Sequence, residues 1–318
     1  MKKYMTVGAT ILLALSLSAC GTTSESSTKS KTSASETQAK EITINYLGKD
    51  YTFPNPVENI VAASLESMED AAILGIKPVG VLEVAGAVPD YLSKELDGAA
   101  LIGDKFAPNA EAILALDPDA IIGTSKWSED VTVQMNKMAT TLPYSHISTH
   151  WKDNLLALGE LAGKTEEAEK VIADYDTKAK EAKEKLGESA ADKNAVIIRI
   201  RAGALSIYGA DLYLNPVLYE DLGMKVPDLI ANTDKQTEIS KETLAEVNPD
   251  IIFLQFEESE NTDAPTALDD LLADPIFSSL TATKNDEVFV NVVAPLAQGG
   301  TAWSKSKFLD AAVEKLVK

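Results

Sequence analysis

The chain has 318 residues and a formal net charge of −20 at neutral pH, with 49 acidic side chains against 29 basic ones. That balance excludes a general nucleic-acid binder, which needs a basic face, but a local cluster of cations in an acidic protein can still draw an anion into a cleft. Its single cysteine, Cys20, leaves no pair for a disulfide within the chain.

Lys2 and Lys3 precede an apolar run over 7–17. The run is shorter than the roughly 20 residues of a membrane span and reads as a signal peptide occupying 1–19. It ends in Leu17-Ser18-Ala19-Cys20-Gly21, a lipobox pattern in which the cysteine thiol takes a diacylglyceryl group and becomes the new N-terminus. Cys20 is therefore the expected lipidation site, and more than one acyl chain would hold the protein on the outer face of the cell membrane. Residues 20–41 are almost wholly Ser, Thr, Lys, Glu and Ala. Such a stretch buries too little apolar surface to offset chain entropy and is predicted to be a disordered tether. Globular composition begins at Ile42, leaving about 275 residues, enough for two lobes of ordinary domain size.

Short apolar runs at 60–63, 79–84, 120–125 and 142–147 predict strands in a first lobe spanning 42–163. A second set at 196–201, 206–208, 251–256 and 288–292 predicts strands in a second lobe spanning 189–318. Capped or amphipathic segments such as 67–74, closed by Gly75, and 110–116 lie between them. Strands alternating with helices predict α/β lobes of Rossmann type with largely parallel sheets. One internal repeat relates the halves: 109–122 and 240–252 each read as a capped short helix, a Pro-Asp turn and a buried strand. In both copies a glutamate, Glu111 or Glu242, stands seven residues before the proline.

Between the lobes, 164–188 carries one apolar stripe: Ala168, Val171, Tyr175, Ala179, Ala182 and Leu186, spaced 3, 4, 4, 3 and 4. That spacing predicts a single helix of roughly 37 Å, with no Gly or Pro before Gly187. A rod of this kind permits small rocking and resists wide hinge closure.

Several segments carry a family resemblance. Ser145-His146-Ile147-Ser148, Ile198-Arg199-Ile200-Arg201, Asn248-Pro249-Asp250 and above all Pro295-Leu296-Ala297-Gln298-Gly299-Gly300-Thr301-Ala302-Trp303-Ser304-Lys305 resemble the FeuA-type lipoproteins. Those belong to the helical-backbone class of substrate-binding proteins of ABC importers. The resemblance implies two α/β lobes joined by one long helix and a ferric siderophore, of tris-catecholate type, as ligand. It also implies delivery to a membrane permease and its ATPase, and a monomer with no cofactor of its own.

A ferric tris-catecholate is a flat-ringed trianion, so its site needs guanidinium and ammonium groups near the oxygens and ring faces. The siderophore already fills the six iron positions, so no protein metal ligand is required. In the strand at 196–201, side chains alternate, and Arg199 and Arg201 share a face roughly 6.7 Å apart. Arginine inside an apolar strand calls for a partner, either an acid in a structural network or a ligand. The resemblance makes these two arginines catecholate contacts, adds Lys105, and assigns Gln236 a contact as well. Lys126 and Trp127, just past a strand end, lie where βα loops form ligand crevices, with Trp127 able to stack. The sequence departs from the family pattern at Ala87, Ala202 and Asp234, which replace a lysine, a glutamine and a basic contact, although Lys235 adjoins the last. A less cationic pocket follows.

His146 and His150 lie in a strand-then-turn segment with no third ligand nearby, and no metal site is expected there. Nucleophile elbow, phosphate loop and paired-carboxylate motifs are lacking, so a binder rather than an enzyme is expected. The rival readings are another iron chelate, haem or cobalamin on the same scaffold, or an extracytoplasmic siderophore hydrolase. The resemblance further implies that Glu111 and Glu242, one per lobe, dock to two equivalent basic pockets of the permease. Carboxylates also suit the first turn of a helix without any partner.

Overall fold

Alternating apolar residues fold the first part of the globular region into a hairpin of β1 (Lys40–Tyr46) and β2 (Lys49–Asn55). The computed structural model describes residues 40–105 and 107–317, so Cys20, the signal segment and nearly all of the tether lie outside the described residues. Ile44, Tyr46 and Phe53 are buried on one face of the hairpin, which sits on the helix Trp151–Leu161. The Tyr46 hydroxyl donates to Asn154 Oδ1 at 2.5 Å and accepts from the Ser145 N–H at 2.7 Å.

The first lobe is built on β3 (Ile60–Ala62), β4 (Gly80–Glu83), β5 (Ala100–Asp104), β6 (Ala107–Pro108), β7 (Ala120–Thr124) and β8 (Thr141–Tyr144). Among the described residues they form one sheet in the order β6-β5-β4-β3-β7-β8, parallel except at β6. The second lobe uses β9 (Ala195–Arg201), β10 (Ala204–Ile207), β11 (Thr237–Ile239), β12 (Ile251–Phe256) and β13 (Val288–Val290). Its order is β11-β10-β9-β12-β13, with β10 antiparallel to both neighbours. The central strands are buried on both faces, which is why they read as continuous apolar runs.

Both lobes wind alike. The chain starts on an interior strand, β3 or β9, steps outward on one side, then returns to the other side through β7 or β12. The strand order therefore reverses between β3 and β7 and between β9 and β12, where crevices open at the carboxyl ends. The sequence repeat lies in equivalent places. Asn109 caps Ala110–Leu114 and Ser240 caps Lys241–Val247 through side-chain oxygens that accept backbone N–H groups. Asp117 and Asn248, next in the repeat, both take the left-handed conformation at φ 45°. The aspartates of the Pro-Asp turns then tie each returning strand to the lobe's first. Asp119 Oδ2 accepts from the Glu58 and Asn59 N–H groups, each at 2.8 Å, and Asp250 Oδ2 accepts from the Asn194 N–H at 2.9 Å.

The connecting helix spans Thr165–Ala191, and Gly187 within it is non-helical at φ 62°, ψ −177°. Lacking a Cβ, glycine enters that region at little cost, so regular helix stops where the sequence first offers a break. Ala168, Tyr175, Ala179, Ala182 and Leu186 of the stripe are buried, against Trp151–Leu161 and the C-terminal helix Ala302–Leu316. The Tyr175 hydroxyl and the buried Lys305 ammonium both donate to Asp221 Oδ2, at 2.5 and 2.8 Å. Burial of the lysine is thus paired, as an interior charge requires.

Candidate functional site

The carboxyl ends of β3, β7, β9 and β12 face a common cleft. It holds a cavity of about 410 Å³ lined by Ser64, Glu66, Lys105, Lys126, Trp127, Arg199, Arg201, Gln236, Glu260 and Gln298. An adjoining cavity of about 190 Å³ shares both arginines and adds His146, Tyr208, Tyr213 and Lys235. All six residues expected to meet ligand, Lys105, Lys126, Trp127, Arg199, Arg201 and Gln236, line this one cleft.

The alternation of β9 delivers Arg199 and Arg201 to the same side. Arg199 is buried, at 5% exposure, while Arg201 is half-buried. Both meet an acid that the sequence reading missed. Glu260 Oε2 accepts from Arg199 Nε at 2.9 Å and lies 2.8 Å from Arg199 Nη2. Glu260 Oε1 accepts from Lys105 Nζ at 3.0 Å and lies 3.3 Å from Arg201 Nη2. The acid-network alternative for the two arginines is therefore what the chain forms, inside the cleft itself. Burial pushes the Glu260 carboxyl up, but Arg199, Lys105 and Arg201 outweigh it and hold the group below the usual carboxylate range. Burial likewise opposes charge on Arg199, and Tyr213, Glu260 and Tyr208 together overcome it and raise its pKa. The guanidinium carbon lies 5.5 Å from the Tyr213 ring centroid, within cation–π range.

Arg201 also donates to Gln236 Oε1 at 2.9 Å, and Gln236 Nε2 donates to Ser206 Oγ at 3.3 Å, so the glutamine is oriented by β9 and β10 together. From the first lobe, exposed Lys126 pairs with buried Glu66 at 2.8 Å. Burial raises the Glu66 carboxyl, and Lys126 more than reverses this, leaving it below its ordinary value. Trp127 folds back over Gly123, where an added Cβ would stand 2.3 Å from the indole ring. Its Nε1 is buried without a hydrogen-bond partner. Glycine at 123 thus decides where the tryptophan's flat face sits.

The family-like run at 295–305 reaches the cleft through Gln298 and is set by a buried acid on the other lobe. Glu69 Oε1 accepts from the Tyr91 hydroxyl at 2.7 Å and the Gln298 N–H at 3.0 Å. Glu69 Oε2 accepts from the Thr301 hydroxyl at 2.5 Å and from the Ser304 hydroxyl. Neighbouring Asp70 accepts from the Ala302 N–H at 3.1 Å. Burial pushes Glu69 up to about 7 despite these donors. Gly299, at φ 78°, lets the run pass the Tyr213 backbone, where a Cβ would come within 2.3 Å.

Of the departures, Ala87 lies in a tight turn closed by a bridge to Val84, and Ala202, at φ 47°, starts the two-residue turn joining β9 to β10. Asp234 is exposed, and Lys235 lines the smaller cavity. His146 Nδ1 lies 2.8 Å from Ser125 Oγ and His150 Nδ1 lies 2.9 Å from Ser145 Oγ, so the two imidazoles engage separate hydroxyls. Among the described residues no group of three or more His, Cys, Asp and Glu side chains is arranged to hold a metal ion. Glu111 and Glu242 are both exposed on the first turns of their helices, away from the cleft lining.

Five lysine and arginine side chains from two lobes, the counter-acids Glu66 and Glu260, and the rings of Trp127, Tyr208 and Tyr213 line the two adjoining cavities, an arrangement suited to an anion. Two α/β lobes around such a cleft, joined through one helix, define a solute-binding protein of importer type. The model of the periplasmic binding protein family matches residues 60–291, and the chain belongs to that family.

The chain is 45% identical over 317 residues to the iron-uptake system-binding protein of Bacillus subtilis (strain 168), covering 99% of each. It is 32% identical over 263 residues to the probable siderophore-binding lipoprotein YfiY of the same organism, covering 80% of this chain and 79% of that one. Among solved structures, the triscatecholate siderophore binding protein FeuA from Bacillus subtilis, complexed with ferri-bacillibactin, matches with a TM-score of 0.84 at 46% identity. That match covers 86% of this chain and 98% of the other. No helix among the described residues is long and apolar enough to cross a membrane.

Proposed function

We propose that this protein captures a ferric siderophore of tris-catecholate type outside the cell membrane and hands it to an ABC permease and its ATPase. The observation that carries the reading is the convergence of Lys105, Lys126, Arg199 and Arg201 from both lobes on one cleft. The relative of known structure whose complex holds ferri-bacillibactin supports the same ligand class. In this reading Arg199, Arg201, Lys105 and Lys126 meet the catecholate oxygens, Gln236 holds Arg201 in place, and Trp127 offers a ring face. The protein needs no cofactor, performs no reaction on its ligand, and works as a monomer held by lipid at Cys20. Glu111 and Glu242 meet the two permease subunits.

Intrinsic tryptophan fluorescence tests the ligand class. Titration with ferric enterobactin should quench at nanomolar to micromolar concentration, while ferric trihydroxamate, haem and cobalamin should bind far more weakly. Recovery of the ligand intact after prolonged incubation separates a carrier from a hydrolase. Tighter binding of any of the other three ligands would replace the tris-catecholate reading.

A further inference from the structure

Two side chains in the cleft, Glu66 and Glu260, have a charge opposite to what an anion site needs, and of the two only Glu260 meets both arginines. Glu260 ends the short helical turn Glu258–Glu260 that follows β12. Its two carboxylate oxygens meet two nitrogens of Arg199, one of Lys105 and the near edge of Arg201. Lys105 belongs to the first lobe and Glu260 to the second, so this carboxylate joins the two walls of the cleft. A catecholate likewise presents two adjacent anionic oxygens on a planar frame, and the cations Glu260 gathers are those assigned above to the ligand.

We propose that Glu260 is an internal stand-in for the ligand's anionic oxygens: it holds Arg199, Arg201 and Lys105 in the empty protein and competes with the ligand for them. The proposal rests on the tris-catecholate reading and deepens it, because the competition makes Glu260 a selectivity residue. A neutral chelate gains too little from the cations to displace a carboxylate that already satisfies them. A trianion gains from all of them at once. Removing the acid without replacement would leave Arg199 buried and uncompensated, which explains why an anion site carries its own anion.

The exchange is a side-chain event. The Glu260 carbonyl accepts from the Ala202 N–H at 2.9 Å. Next to it, Asn261 is buried, donating to the Ile200 carbonyl at 3.0 Å and accepting from the Gly203 N–H at 3.0 Å. The backbone at 260 is thereby pinned to the β9–β10 turn, and the carboxylate can leave the cations by rotating its own side chain, with no loop opening. The lobes then stay bridged throughout, first by the carboxylate and then by the ligand.

The test compares wild type with Glu260→Gln, using ferric enterobactin as the trianionic probe and a ferric trihydroxamate as the neutral one, with circular dichroism as the folding control. Loss of the competing charge should tighten ferric enterobactin binding by about tenfold, the lower end for a charge-assisted hydrogen bond. The neutral chelate should change less than about twofold on the same scale. Equal or weaker ferric enterobactin binding by the variant would overturn the proposal and make Glu260 a positioning residue for the cations. A crystal structure of the wild-type complex gives an answer independent of the variant's folding. Catecholate oxygens should stand against Arg199 and Arg201 with the Glu260 carboxylate turned away, and a carboxylate still bound to both arginines would refute competition. If wild-type protein binds no ferric tris-catecholate at all, the functional reading fails first and this proposal falls with it.

Discussion

Replacing Glu69 with Gln isolates a buried acid that sits where the two lobes meet. Glu69 is fully buried, and its carboxyl is raised from 4.5 to about 7, with burial the largest cause. The folded-state value lies above the unfolded one, so the folded protein holds this proton more firmly. Its contribution to stability is therefore largest in acid and is lost as pH rises through about 7. A shift of this size corresponds to about 3 kcal/mol, most of which falls between pH 5 and 8. Burial raises Asp70 as well, with Glu69 and Glu66 adding to it against the Ala302 N–H, so it slopes in the same direction. His146, lowered by burial and Lys126, slopes the opposite way, and its contribution cancels when the variant is compared with wild type.

Glutamine is isosteric and can still accept from Tyr91 and the Gln298 N–H while donating toward the Thr301 and Ser304 hydroxyls. The assay is urea unfolding at intervals from pH 5 to 8, with the midpoint read at constant slope. Wild type should lose about 2 to 3 kcal/mol relative to Glu69→Gln across that range, and the variant should be the more stable protein at pH 8. A stability difference that stays constant with pH would show that Glu69 is ionised throughout and that burial does not dominate its environment.

The ligand reading makes a direct demand on β9. The double change Arg199→Ala plus Arg201→Ala should weaken ferric tris-catecholate binding at least 10-fold, on the scale of about 1.5 kcal/mol or more per charged hydrogen bond lost. Affinity within about twofold of wild type, in protein shown to be folded, would remove the arginines from the site. For Glu111→Ala plus Glu242→Ala, ligand affinity and melting temperature should stay nearly unchanged, because both side chains are exposed. Siderophore uptake by whole cells should fall sharply. Normal uptake would leave only the favourable placement of carboxylates at helix starts, worth roughly 0.3–1 kcal/mol each.

Much of the architecture is written locally. Apolar runs bounded by Pro-Asp turns place the central strands, because strands covered on both faces need continuous apolar sequence. The 3.6-residue stripe from Ala168 to Leu186 places the connecting helix, and Gly187 places its break. The alternation of β9 puts Arg199 and Arg201 on one side. The β1–β2 hairpin lies outside the strands expected from the sequence, and Lys40 and Glu41, expected in the tether, belong to β1; Ile42, Ile44 and Tyr46 alternate before Gly48, but the tether's low complexity masks where the strand starts.

What the arginines face could not be read this way. Glu260 lies 61 residues beyond Arg199, and Glu69 lies 229 residues before Gln298. No spacing rule connects such positions. In sequence Glu260 is one acid in Glu257-Glu258-Ser259-Glu260, indistinguishable from a solvated turn, although its place just past a strand's carboxyl end was a clue. Local pattern sets which side chains point to one side of a strand. Only the winding of both sheets about β3 and β9 brings an acid from after β12 and a lysine from after β5 to the same two guanidinium groups. Charge in the cleft is a sum over side chains from both lobes, and the tertiary structure alone performs that sum.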